Sequence, residues 1–103
     1  MKRPVEWSRA ALTDLGEQID FIARDNPVAA RRVADRIRDA ATALGDMATG
    51  RPGRVTGSYE KPVARLPYIL AYMIQGRSGV ERITIVRVIH TARDWPSETW
   101  PQG

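Results

Sequence analysis

Tyr68-Ile69-Leu70-Ala71-Tyr72-Met73-Ile74, then Gly76-Arg77-Ser78-Gly79, then Arg82-Ile83-Thr84-Ile85-Val86-Arg87-Val88-Ile89 fill most of the second half of this 103-residue chain. Aromatic and β-branched residues dominate both long runs, and such side chains suit a pleated, half-buried surface. The Gly- and Ser-containing link between them has hairpin-turn chemistry. The second run is apolar at both alternations, which predicts an interior strand. Upstream, Val63-Ala64-Arg65-Leu66 is expected to be extended, with Pro67 marking a turn or bulge. Residues 50–62 hold three glycines and two prolines without a period, and this predicts a loop.

The first half has helical periodicity instead. Pro4-Val5-Glu6-Trp7 is a short strand candidate, and Ser8 can cap a helix by accepting from a free first-turn amide. Trp7 and Leu12 then stand at hydrophobic-staple spacing. Leu12, Leu15, Ile19 and Ile22 recur at intervals of three and four, widened by Phe21, which predicts a helix over about 9–24. Asn26-Pro27 stops it and starts another, because the residue before proline leaves the helical region and proline suits the first helical turn. Ala30, Val33, Ile37, Ala40 or Ala41, and Leu44 carry the second helix to a stop between Leu44 and Ala48, with Gly45 and Gly50 as candidate terminators. A joint of two or three residues folds the pair into an antiparallel hairpin. The expected order is β-α-α-β-β-β, an α/β chain of the two-layer α+β kind. A helical hairpin packs on one face of a small antiparallel sheet and leaves the other face open.

A chain of this length supports one core, so residues 1–103 are read as a single domain. The absence of cysteine excludes disulfides, thiol nucleophiles and thiolate metal sites. With one histidine, a metal centre is not expected. No apolar run approaches the roughly 20 residues of a membrane span, and no leader pattern opens the sequence, so a cytoplasmic location is expected.

The net charge is +4. Residues 1–50 hold eight cations and eight anions, whereas residues 51–93 hold eight cations against Glu60 and Glu81. Fourteen of the sixteen cations are arginine, suited to bidentate contact with carboxylate or phosphate. An anionic partner or a simply solvated basic surface would each explain the surplus.

Val88-Ile89-His90-Thr91-Ala92-Arg93-Asp94-Trp95, Asp25-Asn26-Pro27-Val28-Ala29-Ala30 and Tyr68-Ile69-Leu70-Ala71-Tyr72, in this order, resemble the RelE/ParE toxin superfamily from Trp7 to Trp95. The resemblance implies a small toxin neutralised by a cognate antitoxin. The nuclease branch of that superfamily cleaves mRNA on the ribosome, and the ParE-like branch poisons DNA gyrase. RNA cleavage needs a base, an acid and cations around the phosphate. Here Ile69 stands where nuclease members place an arginine inside the tyrosine frame, Val63 stands where a second basic residue would alternate with Lys61, and Thr91 follows His90 where those members carry tyrosine.

The expectation is therefore a ParE-like toxin that inhibits DNA gyrase by direct binding, without chemistry or cofactor of its own. A ParD-like antitoxin would neutralise it in a hetero-oligomer, and operator DNA would be met only through that antitoxin. Arg65, Arg87, Arg93 and Trp95 are the candidate partner-binding residues, with Arg65 and Arg87 on neighbouring strands. The first alternative is a ribosome-dependent mRNA interferase using His90, Lys61, Arg65 and Arg87. The second is a non-toxic antitoxin-binding or autoregulatory protein. His90 is either a base or a packed residue whose ring orients Arg93 or the C-terminal tail.

Overall fold

Ser8 starts the first helix as its position predicts: its hydroxyl accepts from the Ala11 amide at 3.0 Å. In the computed structural model, which describes residues 3–92, α1 runs Arg9–Asp25 and α2 runs Pro27–Asp46. Asn26 alone joins them, a tighter joint than the expected two or three residues. It ends α1 by donating its amide to Ile22 and starts α2 by accepting from the Ala29 amide at 3.0 Å.

Strands β1 (Val5–Trp7), β2 (Arg51–Pro52), β3 (Tyr59–Pro62), β4 (Tyr68–Arg77) and β5 (Val80–His90) form one sheet in the order β1-β5-β4-β3-β2. The meander of β3, β4 and β5 is antiparallel, as expected. The sheet is nevertheless mixed, because β1 joins it in parallel on the far side of β5. This makes β5 an interior strand, consistent with its two apolar faces. Ser78 and Gly79 have φ of 54° and 78°, the left-handed pair required by a two-residue turn whose twist matches the strands.

Three local expectations need correction. The third strand lies at Tyr59–Pro62, inside the predicted loop, whereas Val63–Leu66 forms the turn after it. Val63 closes the ladder by donating to the Tyr68 carbonyl, and Leu66 turns back onto Val63. Gly45 ends no helix. It lies inside α2, where its carbonyl accepts from the Arg3 amide and a Cβ would stand 2.6 Å from the Arg3 carbonyl oxygen. The expected apolar stripe of α1 is also not its buried face: Leu12 is 54% exposed and Phe21 53%, because the buried line of α1 runs through Ala11 and Leu15.

That core lies between the helical hairpin and the sheet and includes Leu15, Ile37, Leu44, Leu70, Tyr72, Ile83, Ile85 and Val88. Each aliphatic side chain removed from water there contributes about 1.5–3 kcal/mol. Val86 is an extra residue in β5: Ala71 pairs with Arg87 and Tyr72 with Ile85. This bulge shifts the alternation by one, so Ile85 and Val88 both face the helices, while Val86 joins Ile69, Ala71 and Ile89 in a second cluster. The sheet face away from the helices is therefore not uniformly open. Its Ile69, Ala71 and Ile89 end is buried, whereas Gln75, Val80 and Arg82 are exposed.

Candidate functional site

The sheet register separates the candidate residues. Lys61 pairs with Leu70, which pairs with Val88; His90 pairs with Tyr68. Lys61 and His90 thus share the helix-side alternation but have β4 between them, about 10 Å of sheet width at ordinary strand spacing. Arg87 is opposite Ala71, which pairs on its other side with Glu60, and so falls in the other alternation.

Arg65 is on no strand. It occupies the turn after β3 with φ of 65°, exposed and in a conformation unusual for a residue with a Cβ. Arg65 and Arg87 therefore do not lie on neighbouring strands as expected.

Arg87 is engaged within the chain. Its Nε donates to Asp14 Oδ2 at 2.6 Å and a terminal nitrogen donates to Oδ1 at 2.9 Å, the fork geometry that guanidinium offers a carboxylate. Asp14 Oδ2 also accepts from the Val88 amide at 3.0 Å. His90 accepts the Ala92 amide on Nδ1 at 3.2 Å and meets the Tyr68 ring edge to face at 5.4 Å. Those contacts tie the ring to the turn after β5; Arg93 and the tail it was expected to orient lie outside the described residues. Arg93 and Trp95, the other two candidate partner-binding residues, lie outside the described residues.

The tyrosine frame is structural. Tyr68 and Tyr72 are both buried in the helix-side core, and the Tyr72 hydroxyl donates to the Thr49 carbonyl at 2.7 Å. Burial pushes the Tyr72 phenol above its usual range, nearby Tyr59 adds to this, and Arg3 opposes it. Ile69, between the two tyrosines, is 4% exposed and points into the opposite cluster.

Two carboxylates with defined work are absent from the sequence-based candidates. Asp14 fastens Arg87 and the edge of β5. Glu60, buried on β3, accepts the Arg54 amide at 2.9 Å and faces the Arg51 guanidinium at 3.6 Å, shaping the basic loop between β2 and β3. A signal for Glu60 did exist: it is the only acid between Thr49 and Gly79. Among the described residues no group of three potential metal ligands converges, and no helix is long and apolar enough to cross a membrane.

Comparison with known proteins places this geometry in a family. Residues 5–95 match the model of the ParE toxin of the type II toxin–antitoxin system parDE. The chain is 36% identical over 96 residues to Y4kP of Sinorhizobium fredii, named as a toxin, covering 92% of this chain and 95% of the relative. It is 34% identical over 89 residues to toxin RelE2 of Caulobacter vibrioides, covering 86% and 96%. Its fold matches a chain of the chromosomal ParDE toxin–antitoxin system of P. aeruginosa with a TM-score of 0.75 and 24% identity, covering 84% of this chain and 94% of that one. A YoeB/ParE toxin from Agrobacterium tumefaciens matches with a TM-score of 0.54 and 13% identity, covering 82% and 94%. With its two-helix hairpin on a five-stranded sheet and a family match from the first strand past the last, the chain belongs to the ParE toxin family of type II toxin–antitoxin systems.

Proposed function

We propose that this chain inhibits DNA gyrase by direct protein binding and is neutralised by a ParD-like antitoxin, without catalysing a reaction itself. One observation carries the choice against nuclease chemistry: His90, Lys61, Arg65 and Arg87 do not converge. Lys61 and His90 have a strand between them, Arg65 stands in a turn, and Arg87 is held by Asp14 in the other alternation of the sheet. A phosphate in flight needs its acid, base and cations within hydrogen-bond reach of one point. A protein inhibitor needs only a shaped and charged surface. Membership of the ParE family and the likeness to a ParDE system support the same reading.

The experiment is a supercoiling assay with purified gyrase, ATP and relaxed plasmid. Added chain is expected to abolish supercoiling or trap cleaved DNA, and stoichiometric antitoxin is expected to restore activity. Unimpaired supercoiling at saturating chain would sink the proposal. The RelE2 relative supports a second reading as an mRNA interferase, in which translating ribosomes accumulate A-site cuts that His90→Ala suppresses.

A further inference from the structure

The turn between β3 and β4 is held in one shape from several sides. Val63 donates to the Tyr68 carbonyl at 2.9 Å, and Leu66 donates back to the Val63 carbonyl at 3.2 Å. Thr91, just past β5, donates to the Pro67 carbonyl at 2.9 Å. Val63 is buried and Leu66 packs on the core, so the base of the turn is anchored from inside. Pro62 and Pro67 bracket it and fix a backbone angle at each end.

The tip is the exception. φ is positive at Arg65 but not at Ala64, and a negative angle followed by a positive one is the type II pattern, whose third residue is ordinarily glycine. Arginine gains nothing there from the backbone, because its Cβ is crowded in the left-handed conformation. Its side chain recovers nothing within the chain either. Arg3, Arg51, Arg82 and Arg87 face the carboxylates of Glu81, Glu60, Glu6 and Asp14 at 2.9, 3.6, 3.1 and 2.6 Å. Arg65 is exposed and forms no ion pair or side-chain hydrogen bond among the described residues, and Lys61 on β3 forms none. The adjoining part of α1 does not compensate them. Gln18 accepts from the Tyr68 hydroxyl at 3.5 Å, but Glu17 and Asp20 are exposed on the side of the helix away from the buried Ala11 and Leu15. A strained residue with no internal partner points to use outside the chain.

Chemistry narrows the partner. A nucleic-acid surface draws its affinity from many neutralised phosphates, about six to ten for a tight site, and β3 with its turn offers two unpaired cations. At a protein interface a single arginine forked onto a carboxylate in a dry pocket can carry much of the affinity. A turn already in its bound shape also loses little freedom on docking.

We infer that the turn at residues 62–67 is where this chain docks on gyrase, with Arg65 anchored on a carboxylate of that protein and Lys61 as the flanking charge. This rests on the gyrase reading proposed above and assigns the surface through which it acts.

The test compares purified variants in the supercoiling assay, with urea denaturation alongside. Arg65→Gly is expected to keep or raise the urea midpoint, since glycine suits the left-handed position. It is nevertheless expected to raise the half-inhibitory concentration about tenfold or more. Arg65→Lys keeps the charge but loses the fork, and its inhibition is expected to fall between the two. Arg38→Gln removes one exposed cation from α2 and is expected to leave inhibition unchanged. Inhibition by Arg65→Gly equal to that of the parent chain overturns the inference and leaves the gyrase reading intact, whereas a parent chain that does not inhibit removes both. A lower urea midpoint for Arg65→Gly, or an equal loss of inhibition in Arg38→Gln, also overturns it. So does a matching loss of affinity for the antitoxin or for plasmid alone, which would assign the turn to the antitoxin or to nucleic acid.

Discussion

Asp14 sits where β5 runs on past the end of β1. Ser8 covers the Ile85 and Val86 carbonyls with its amide and hydroxyl, and Asp14 takes the next free edge amide, Val88, together with the Arg87 fork. One carboxylate thus fastens α1 to the sheet. Asp14→Ala is expected to lower the unfolding free energy by about 2 kcal/mol, because it leaves an edge amide and a part-buried guanidinium without their acceptor. Urea denaturation measures the loss, and exchange at the Val88 amide reports where it arises; a change below about 0.5 kcal/mol would refute this role. The partnership was not legible in the sequence. Asp14 reads as one more acid on a polar helix face, and Arg87 as an exposed basic residue on a strand, since the residues are 73 positions apart and nothing local connects them.

At the scale of elements, two glycines on the helices behave oppositely. Gly16 is an exposed mid-helix residue with nothing within 4 Å of an added Cβ. Gly16→Ala is therefore expected to raise stability by about 0.5–1 kcal/mol through helix propensity. Gly45 lets the chain at Arg3 lie directly on α2, and an added Cβ would also stand 3.0 Å from Val5 Cγ2. Gly45→Ala is expected to cost roughly 1 kcal/mol or more despite better propensity. It should also speed exchange at the Ile83 amide, which donates to the Pro4 carbonyl. Paired thermal melts check both, and the same sign for the two substitutions would refute the distinction. The helices were legible because caps and a three-to-four spacing are local signals, and Ser8 and Asn26 carry them. Their inward faces were less so: Leu12 and Phe21 fit an apolar stripe, but the sheet meets the line through Ala11 and Leu15. The third strand was missed because Gly53, Gly57 and Pro62 look like breakers, although Tyr59–Pro62 needs only four residues to pair with β4.

For the molecule as a whole, Tyr72 connects the layers. It lies in the core, stacks on Tyr59 at 5.5 Å and holds the chain leaving α2 through the Thr49 carbonyl. Burial raises its folded-state pKa, so the folded form holds the phenol proton more tightly than the unfolded chain does. Its contribution to stability is complete below the unfolded value of about 10 and is lost as pH rises through the higher folded value. Tyr72→Phe is expected to cost about 1 kcal/mol at pH 8, where the hydrogen bond is intact. It should also show a smaller fall in urea midpoint between pH 8 and pH 11 than the parent chain; equal falls would refute the assignment.

The sequence by itself determined the number and order of the helices, the interior character of β5, the tight turn before it and the uneven charge. Each follows from neighbours along the chain: caps, periodicity, turn residues and composition. Only the tertiary structure decided that β1 joins the sheet beside β5, that the bulge at Val86 puts Ile85 and Val88 on the same face, that Arg87 is bound to Asp14, and that β4 runs on past its pairing with β3. Those features depend on which distant segments meet and in what register, and a one-residue change of register exchanges the two faces of a strand.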